Sequence, residues 1–169
     1  MPTATHSTFA GRPPAIFVPL GFSTSRIVNA AAKLAHDAHW ATARDDGSSY
    51  FEHVQRVAHT VARSQWATAH TVAAAYLHDA VEDTAVTFDA IASVCNDFVA
   101  GIVGLATKRE GEDYHRQYID RCASTPESFA IKAADLADNF STLTPGDRRV
   151  QKYLDAMERL HASTSGWAH

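Results

Sequence analysis

The stretch Tyr76-Leu77-His78-Asp79-Ala80-Val81-Glu82-Asp83-Thr84 sets one imidazole and three carboxylates within about a turn and a half of helix. The residues before it, Val72, Ala73, Ala74 and Ala75, are apolar. His78 and Asp79 are therefore expected at or below the surface, where unpaired ionised groups are expensive. If the segment is helical, Glu82 and Asp83 share a face with Asp79, and each like-charge pair costs a few tenths of a kcal/mol. A bound cation reverses that sign. Spacing alone leaves two readings open, a metal site and an acidic cluster at a helix end. A second His-Asp pair, His36-Asp37, has no carboxylates trailing it and reads as ordinary helix surface.

Working outward, helical periodicity dominates. Ile27, Ala31, Leu34, Ala38 and Ala41 recur at helical spacing after the candidate caps Ser23, Thr24 and Ser25. Arg44 to Ser49 is a turn by residue type, and beyond it His53, Val57 and Val61 form one stripe, so His53 faces inward with the apolar residues. A helix is predicted from about Thr68 to Glu82, and Thr87 caps a long pattern through Ile91, Val94, Phe98, Ile102 and Leu105. Tyr114 to Cys122 reads as a shorter helix. Thr125-Pro126-Glu127 is a strong start signal for a helix running to Phe140, and after Pro145-Gly146 a last helix carries Val150, Leu154, Met157 and Leu160. Strand alternation is nearly absent, which predicts an all-α packed bundle.

At 169 residues the chain fits one domain, since domains run to roughly 100 to 200 residues. The expected limits are a flexible tail over 1–22, the domain over 23–162 and a second tail over 163–169. With 46% hydrophobic and 20% charged residues, the composition excludes a disordered or fibrous protein. The net charge of −4 argues against a duplex-binding module. No apolar run approaches a membrane span, so a cytoplasmic protein without nucleic-acid or membrane partners is expected. Cys95 and Cys122 lack metal-type spacing and read as free thiols.

Several blocks become informative together. They are Arg44 and Gly47 leading into Tyr50-Phe51-Glu52-His53, the stretch from His78 to Thr84, Thr107-Lys108, and Ile131-Lys132-Ala133-Ala134-Asp135 with Asn139. In order, spacing and context they resemble the HD superfamily of metal-dependent phosphohydrolases, and within it the hydrolase domain of RelA/SpoT-type alarmone enzymes, especially the stand-alone small alarmone hydrolases. The likeness runs from about Ala30 to Leu143.

The resemblance implies a compact helical bundle of the HD-domain type. It implies His53, His78, Asp79 and Asp135 as metal ligands, and it favours Mn²⁺, although a nitrogen and oxygen donor set admits other divalent ions. Glu82 and Asp83 are implied as the catalytic pair that handles the attacking water and the leaving oxygen. Arg44, Asn139, Lys108 and Lys132 are implied at the substrate, with Arg109 and Arg116 as further cations by position. The implied reaction removes the 3′-pyrophosphate from (p)ppGpp or (p)ppApp, a small-molecule nucleotide, by attack of a water activated at the metal. The alternatives are an HD-type nucleotide phosphohydrolase of other specificity and a non-catalytic nucleotide-binding module. No synthetase domain is expected after the last helix, and the oligomeric state is left open. The chain departs from the family pattern at Val54 (usually Pro) and Asp45 (usually Lys), neither of which touches the implied metal, and at Asp138 and Ser141, which bear on base and phosphate recognition.

Overall fold

Most helices among the described residues begin where the sequence offers a short polar side chain to an unpaired backbone N–H. In the computed structural model, which describes residues 7–164, Ser25 caps α1 (Arg26–His39), Ser49 caps α2 (Tyr50–Val61) and Thr68 caps α3 (Ala69–Leu77). After the short α4 (Ala80–Asp83), Thr87 caps α5 (Phe88–Val94) and Asn96 caps α6 (Asp97–Ala106). A π-helical turn over Tyr114–Ile119, opened by Asp113, runs into α7 (Asp120–Cys122). Thr125 with Pro126 opens α8 (Pro126–Ser141), and α9 (Arg149–Ala162) closes the described chain. Each cap removes one orphan donor, and loss of such a cap costs about 1 kcal/mol. Apart from two isolated bridges, Thr8 with Thr42 and Ala43 with Ser49, the described residues form no strand.

The architecture follows from α3. Every residue from Thr71 to Leu77 is fully buried. A helix apolar on all sides must be enclosed by others, and α1, α2, α6 and α8 pack around it. The main core joins Val28, Ala31 and Ala35 of α1, Phe51, Val54 and Val57 of α2 and Ile102 and Val103 of α6 to this central helix. A smaller core gathers Tyr118, Ile119, Cys122, Phe129, Leu136, Ala156 and Leu160, where α8 and α9 meet the π-helical turn. The final part of α3 thus ends inside the bundle, between α2 and α8.

Three sequence expectations change. The helix predicted from Thr68 to Glu82 breaks after Leu77, and Asp79 sits at φ −100°, ψ −4°, outside ideal helical values. The pattern from Ile91 to Leu105 is two helices, because Cys95 leaves helical geometry and Asn96 starts again as a cap. The segment 7–22, placed in the amino-terminal tail, is tied to the domain. Phe9 N–H donates to the Ala41 carbonyl at 2.7 Å, and the Phe17 carbonyl accepts from the Tyr76 hydroxyl at 2.7 Å and from His59 Nε2 at 2.6 Å. Residues 1–6 and 165–169, also placed in the tails, lie outside the described residues. Cys95 and Cys122 are free thiols.

Candidate metal centre

The break after α3 turns two adjacent side chains into the middle of the bundle. His78, 3% exposed, donates from Nδ1 to the Ala75 carbonyl at 2.9 Å, leaving Nε2 aimed inward. Asp79 brings its carboxylate alongside, with Oδ2 at 3.1 Å from His78 Nε2. From α2, His53 Nε2 lies 3.6 Å from Asp79 Oδ2 and 3.4 Å from Asp135 Oδ1. From α8, Asp135 Oδ1 stands 3.7 Å from His78 Nε2. One ligand atom from each of His53, His78, Asp79 and Asp135 falls within 4.8 Å of all the others. Sequence places these residues up to 82 positions apart; the bundle gives them one centre.

The donor set fits a divalent ion. It is two imidazole nitrogens and two carboxylates without thiolate, which suits hard or borderline cations. His78 Nε2 is buried and makes no hydrogen bond, and such a group is costly unless a partner takes it up. The electrostatics agree. Burial alone disfavours the charged imidazoles, but the Asp79 and Asp135 carboxylates hold His78 well above its ordinary pKa. Burial likewise opposes the charged His53, yet hydrogen bonding to Asp135, Asp138 and Asp79 pushes it up to about 9. Asp135 is desolvated but held well below the usual carboxylate range by Lys132 and the two histidines. The two imidazoles and the two carboxylates thus face one another across the centre, an arrangement that a divalent ion bound among them would also satisfy.

Around this centre the other expected site residues are unevenly placed. Glu82 retains exposed surface, but protein crowding its carboxyl, together with the Asp79 charge, pushes it up to about 7. It accepts a short hydrogen bond from the backbone N–H of Lys108. That N–H is presented by the turn after α6, where Arg121 donates to the carbonyls of Gly104, Leu105 and Thr107. Asp83 is exposed on the next position of α4, and Lys108, Arg109 and Arg116 are exposed. Arg44 donates to Asp138 at 3.2 Å and to Asn139 Oδ1 at 2.6 Å, and Asn139 Nδ2 donates to Asp135 Oδ1 at 2.5 Å. Arg44 also lines a cavity of about 350 Å³ with Tyr50, Thr142, Asp147 and Arg149. Lys132, expected at the substrate, has a buried ammonium that donates to Asp135 Oδ2 at 2.7 Å and lies 4.7 Å from the Tyr118 ring centre.

Two residues that sequence reasoning did not select belong to the site. The Tyr50 hydroxyl donates to Asp79 Oδ2 at 2.8 Å, and Arg56 binds Asp138 through Nε at 2.7 Å and a terminal nitrogen at 3.0 Å. Their register was a usable signal, because Tyr50 and Arg56 each lie three residues from His53 on α2.

A family model described as HD domain matches residues 31–138. The chain belongs to the HD-domain family. The matched span includes His53, His78, Asp79 and Asp135, and membership implies a divalent metal. This HD domain is 32% identical over 143 residues to a probable GTP pyrophosphokinase of Mycobacterium leprae, in a match covering 78% of the chain. The chain spans 18% of that relative's length. Among solved structures it resembles one of a metazoan ortholog of SpoT that hydrolyses ppGpp. The TM-score is 0.70 and the identity 22%, with 84% of this chain and 87% of that one covered. The HD-domain bundle is therefore the fold. No helix among its described residues is long and apolar enough to cross a membrane.

Proposed function

We propose that this HD domain is an alarmone hydrolase, removing the 3′-pyrophosphate from (p)ppGpp or (p)ppApp, with His53, His78, Asp79 and Asp135 holding Mn²⁺. The observation that carries the reading is the four-residue cluster with Glu82 beside it. The likeness to a probable GTP pyrophosphokinase and to a ppGpp-hydrolysing SpoT ortholog supports the substrate class. A cytoplasmic location fits a soluble nucleotide substrate.

The divalent ion supplies charge neutralisation for the phosphoryl group and acidifies a water molecule. Glu82, with a pKa near neutrality, accepts a proton from the attacking water. The water oxygen attacks the phosphorus nearest the ribose, the bond from that phosphorus to the 3′-oxygen breaks, and the 3′-oxygen takes a proton as pyrophosphate leaves. Asp83 assists at that leaving oxygen. Tyr50 and Lys132 hold Asp79 and Asp135 in place by the hydrogen bonds described above. Arg44, Asn139 and the exposed Lys108 contact the nucleotide, offsetting the repulsion between a polyanion and an acidic site.

A nucleotide phosphohydrolase of other specificity is the second reading. One feature favours it. In the cavity beside Arg44, Arg149 is already paired with Asp45 at 2.9 Å and with Asp147 at 2.8 Å, which reduces the positive charge open to a substrate. Incubation of Mn²⁺-loaded protein with ppGpp, pppApp, dNTPs and nucleoside monophosphates, with chromatographic identification of products, separates the two. Release of GDP and pyrophosphate from ppGpp supports the first reading. Turnover of dNTPs alone supports the second, and turnover of neither alarmone sinks the first.

A further inference from the structure

Asp138 stands where the family pattern differs, yet three side chains near the metal centre converge on its carboxylate. Its Oδ2 lies 2.7 Å from His53 Nδ1, with the His53 side chain 1% exposed. Arg56 grips it with two nitrogens and Arg44 donates to it with one. Helix register explains the position. Asp135 and Asp138 are three apart on α8, and His53 and Arg56 three apart on α2, so the two helices bring a cluster member and its supporter together twice over.

We propose that Asp138 is a positioning residue for the metal centre, holding His53 with its proton on Nδ1 so that Nε2 is turned to the ion, with Arg56 as its counter-cation. An imidazole can give Nε2 to a metal only when its remaining proton sits on Nδ1, and a buried N–H needs an acceptor. Asp138 is that acceptor. A carboxylate behind a metal-bound imidazole fixes the ring orientation and raises ligand basicity. The two arginines divide the work. Arg44 lines the cavity and bonds Asp138 at one point and Asn139 at another, while Arg56, bonded at two points, seats the carboxylate against His53. The inference rests on the reading of the four side chains as one metal centre.

The test is calorimetric titration of Mn²⁺ into chelator-treated wild-type, Asp138→Asn, Asp138→Ala, Asp138→Glu and Arg56→Ala proteins, with circular dichroism to confirm folding. Asp138→Asn and Asp138→Ala should weaken binding by roughly 10- to 100-fold. Asp138→Glu should recover part of the loss, and Arg56→Ala should show a smaller loss in the same direction. In Zn²⁺-loaded wild-type protein, nitrogen-15 NMR should show a slowly exchanging His53 Nδ1 proton that is lost in Asp138→Ala. Folded Asp138 variants that bind Mn²⁺ within about twofold of wild type, outside the range of an outer-shell effect, overturn the proposal. So does a His53 Nδ1 proton that Asp138→Ala does not change. If the wild type binds neither Mn²⁺ nor Zn²⁺, the metal-centre reading fails and this proposal falls with it. If the wild type binds and the variants bind equally, only this proposal fails.

Discussion

The same dipeptide, His-Asp, occurs in two places and has two fates. At His36-Asp37 it lies within an unbroken α1. Asp37 is 56% exposed and pairs with Lys33 one turn back at 2.6 Å, while His36 meets the Pro14 carbonyl at 3.1 Å and the edge of Phe51. At His78-Asp79 it lies at the end of α3, where the helix breaks and Asp79 turns inward beside Tyr50. The difference comes from the host helices. α1 is amphipathic and shows one face to water, whereas α3 is buried on all sides and delivers its last residues to the centre of the bundle. There α2 contributes a second imidazole and α8 a second carboxylate. Chemistry at a His-Asp pair is therefore decided by what surrounds the helix end that carries it.

Breaking the pair in each location gives the largest contrast. His78→Ala or Asp79→Ala should reduce Mn²⁺ affinity by more than the roughly 10- to 100-fold typical of outer-shell changes and abolish alarmone hydrolysis. His36→Ala and Asp37→Ala should leave both near wild-type values. Titration calorimetry and product chromatography on all four variants check this. Comparable metal loss in the α1 variants would show that helix context does not discriminate.

Glu82 separates binding from turnover within the same region. Glu82→Gln should keep metal affinity near the wild type and lower the hydrolysis rate by about 10² to 10⁴, the range of general acid–base contributions. Retention of full rate by a metal-loaded Glu82→Gln enzyme removes Glu82 from the mechanism.

Much of this was legible in the sequence, and the reason is physical. His53 was placed inward by its stripe with Val57 and Val61. His78, Asp79 and Glu82 were set apart by charge density inside an apolar run, and Asp135 by its family block. The helix starts were legible because Ser25, Thr87 and Thr125 cap as their residue types suggest. The breaks were not. Apolar periodicity continues across Leu77 and Cys95, so nothing in spacing separates α3 from α4 or α5 from α6, although Asn96 is a cap type that could have marked the second. Partners joined only by tertiary structure were also hidden. Arg56 with Asp138, 82 residues apart, and the burial of Lys132 depend on how α2, α8 and the π-helical turn meet. Asp138, a departure from the family pattern in the sequence, became a supporter of His53 only once that meeting was visible.

The raised pKa of His53 makes the buried region pH-sensitive. In the metal-free protein the folded His53 pKa of about 9 exceeds its ordinary value of 6.5. Its protonation therefore stabilises the fold fully below about pH 6.5, and that stabilisation is lost as pH rises through about 9. Metal binding must displace this proton, so apparent Mn²⁺ affinity should rise with pH up to about 9, by roughly tenfold per unit for each proton released. Calorimetry from pH 6.5 to 9 in buffers of different ionisation enthalpy counts the protons. An affinity flat across that range contradicts imidazolium displacement.

The smallest effect belongs to the surface pair. Lys33 and Asp37 are 70% and 56% exposed, and an i, i+4 ion pair of this kind contributes about 0.3 to 0.5 kcal/mol, screened further by salt. In a protein of this size such a change moves the melting temperature by no more than about 2 °C. Lys33→Ala should therefore lower Tm by less than that, and the shift should vanish in high salt. A larger drop that persists in salt would mean α1 depends on this pair structurally, and would weaken the contrast between a helix surface that only bears charge and a helix end that uses it.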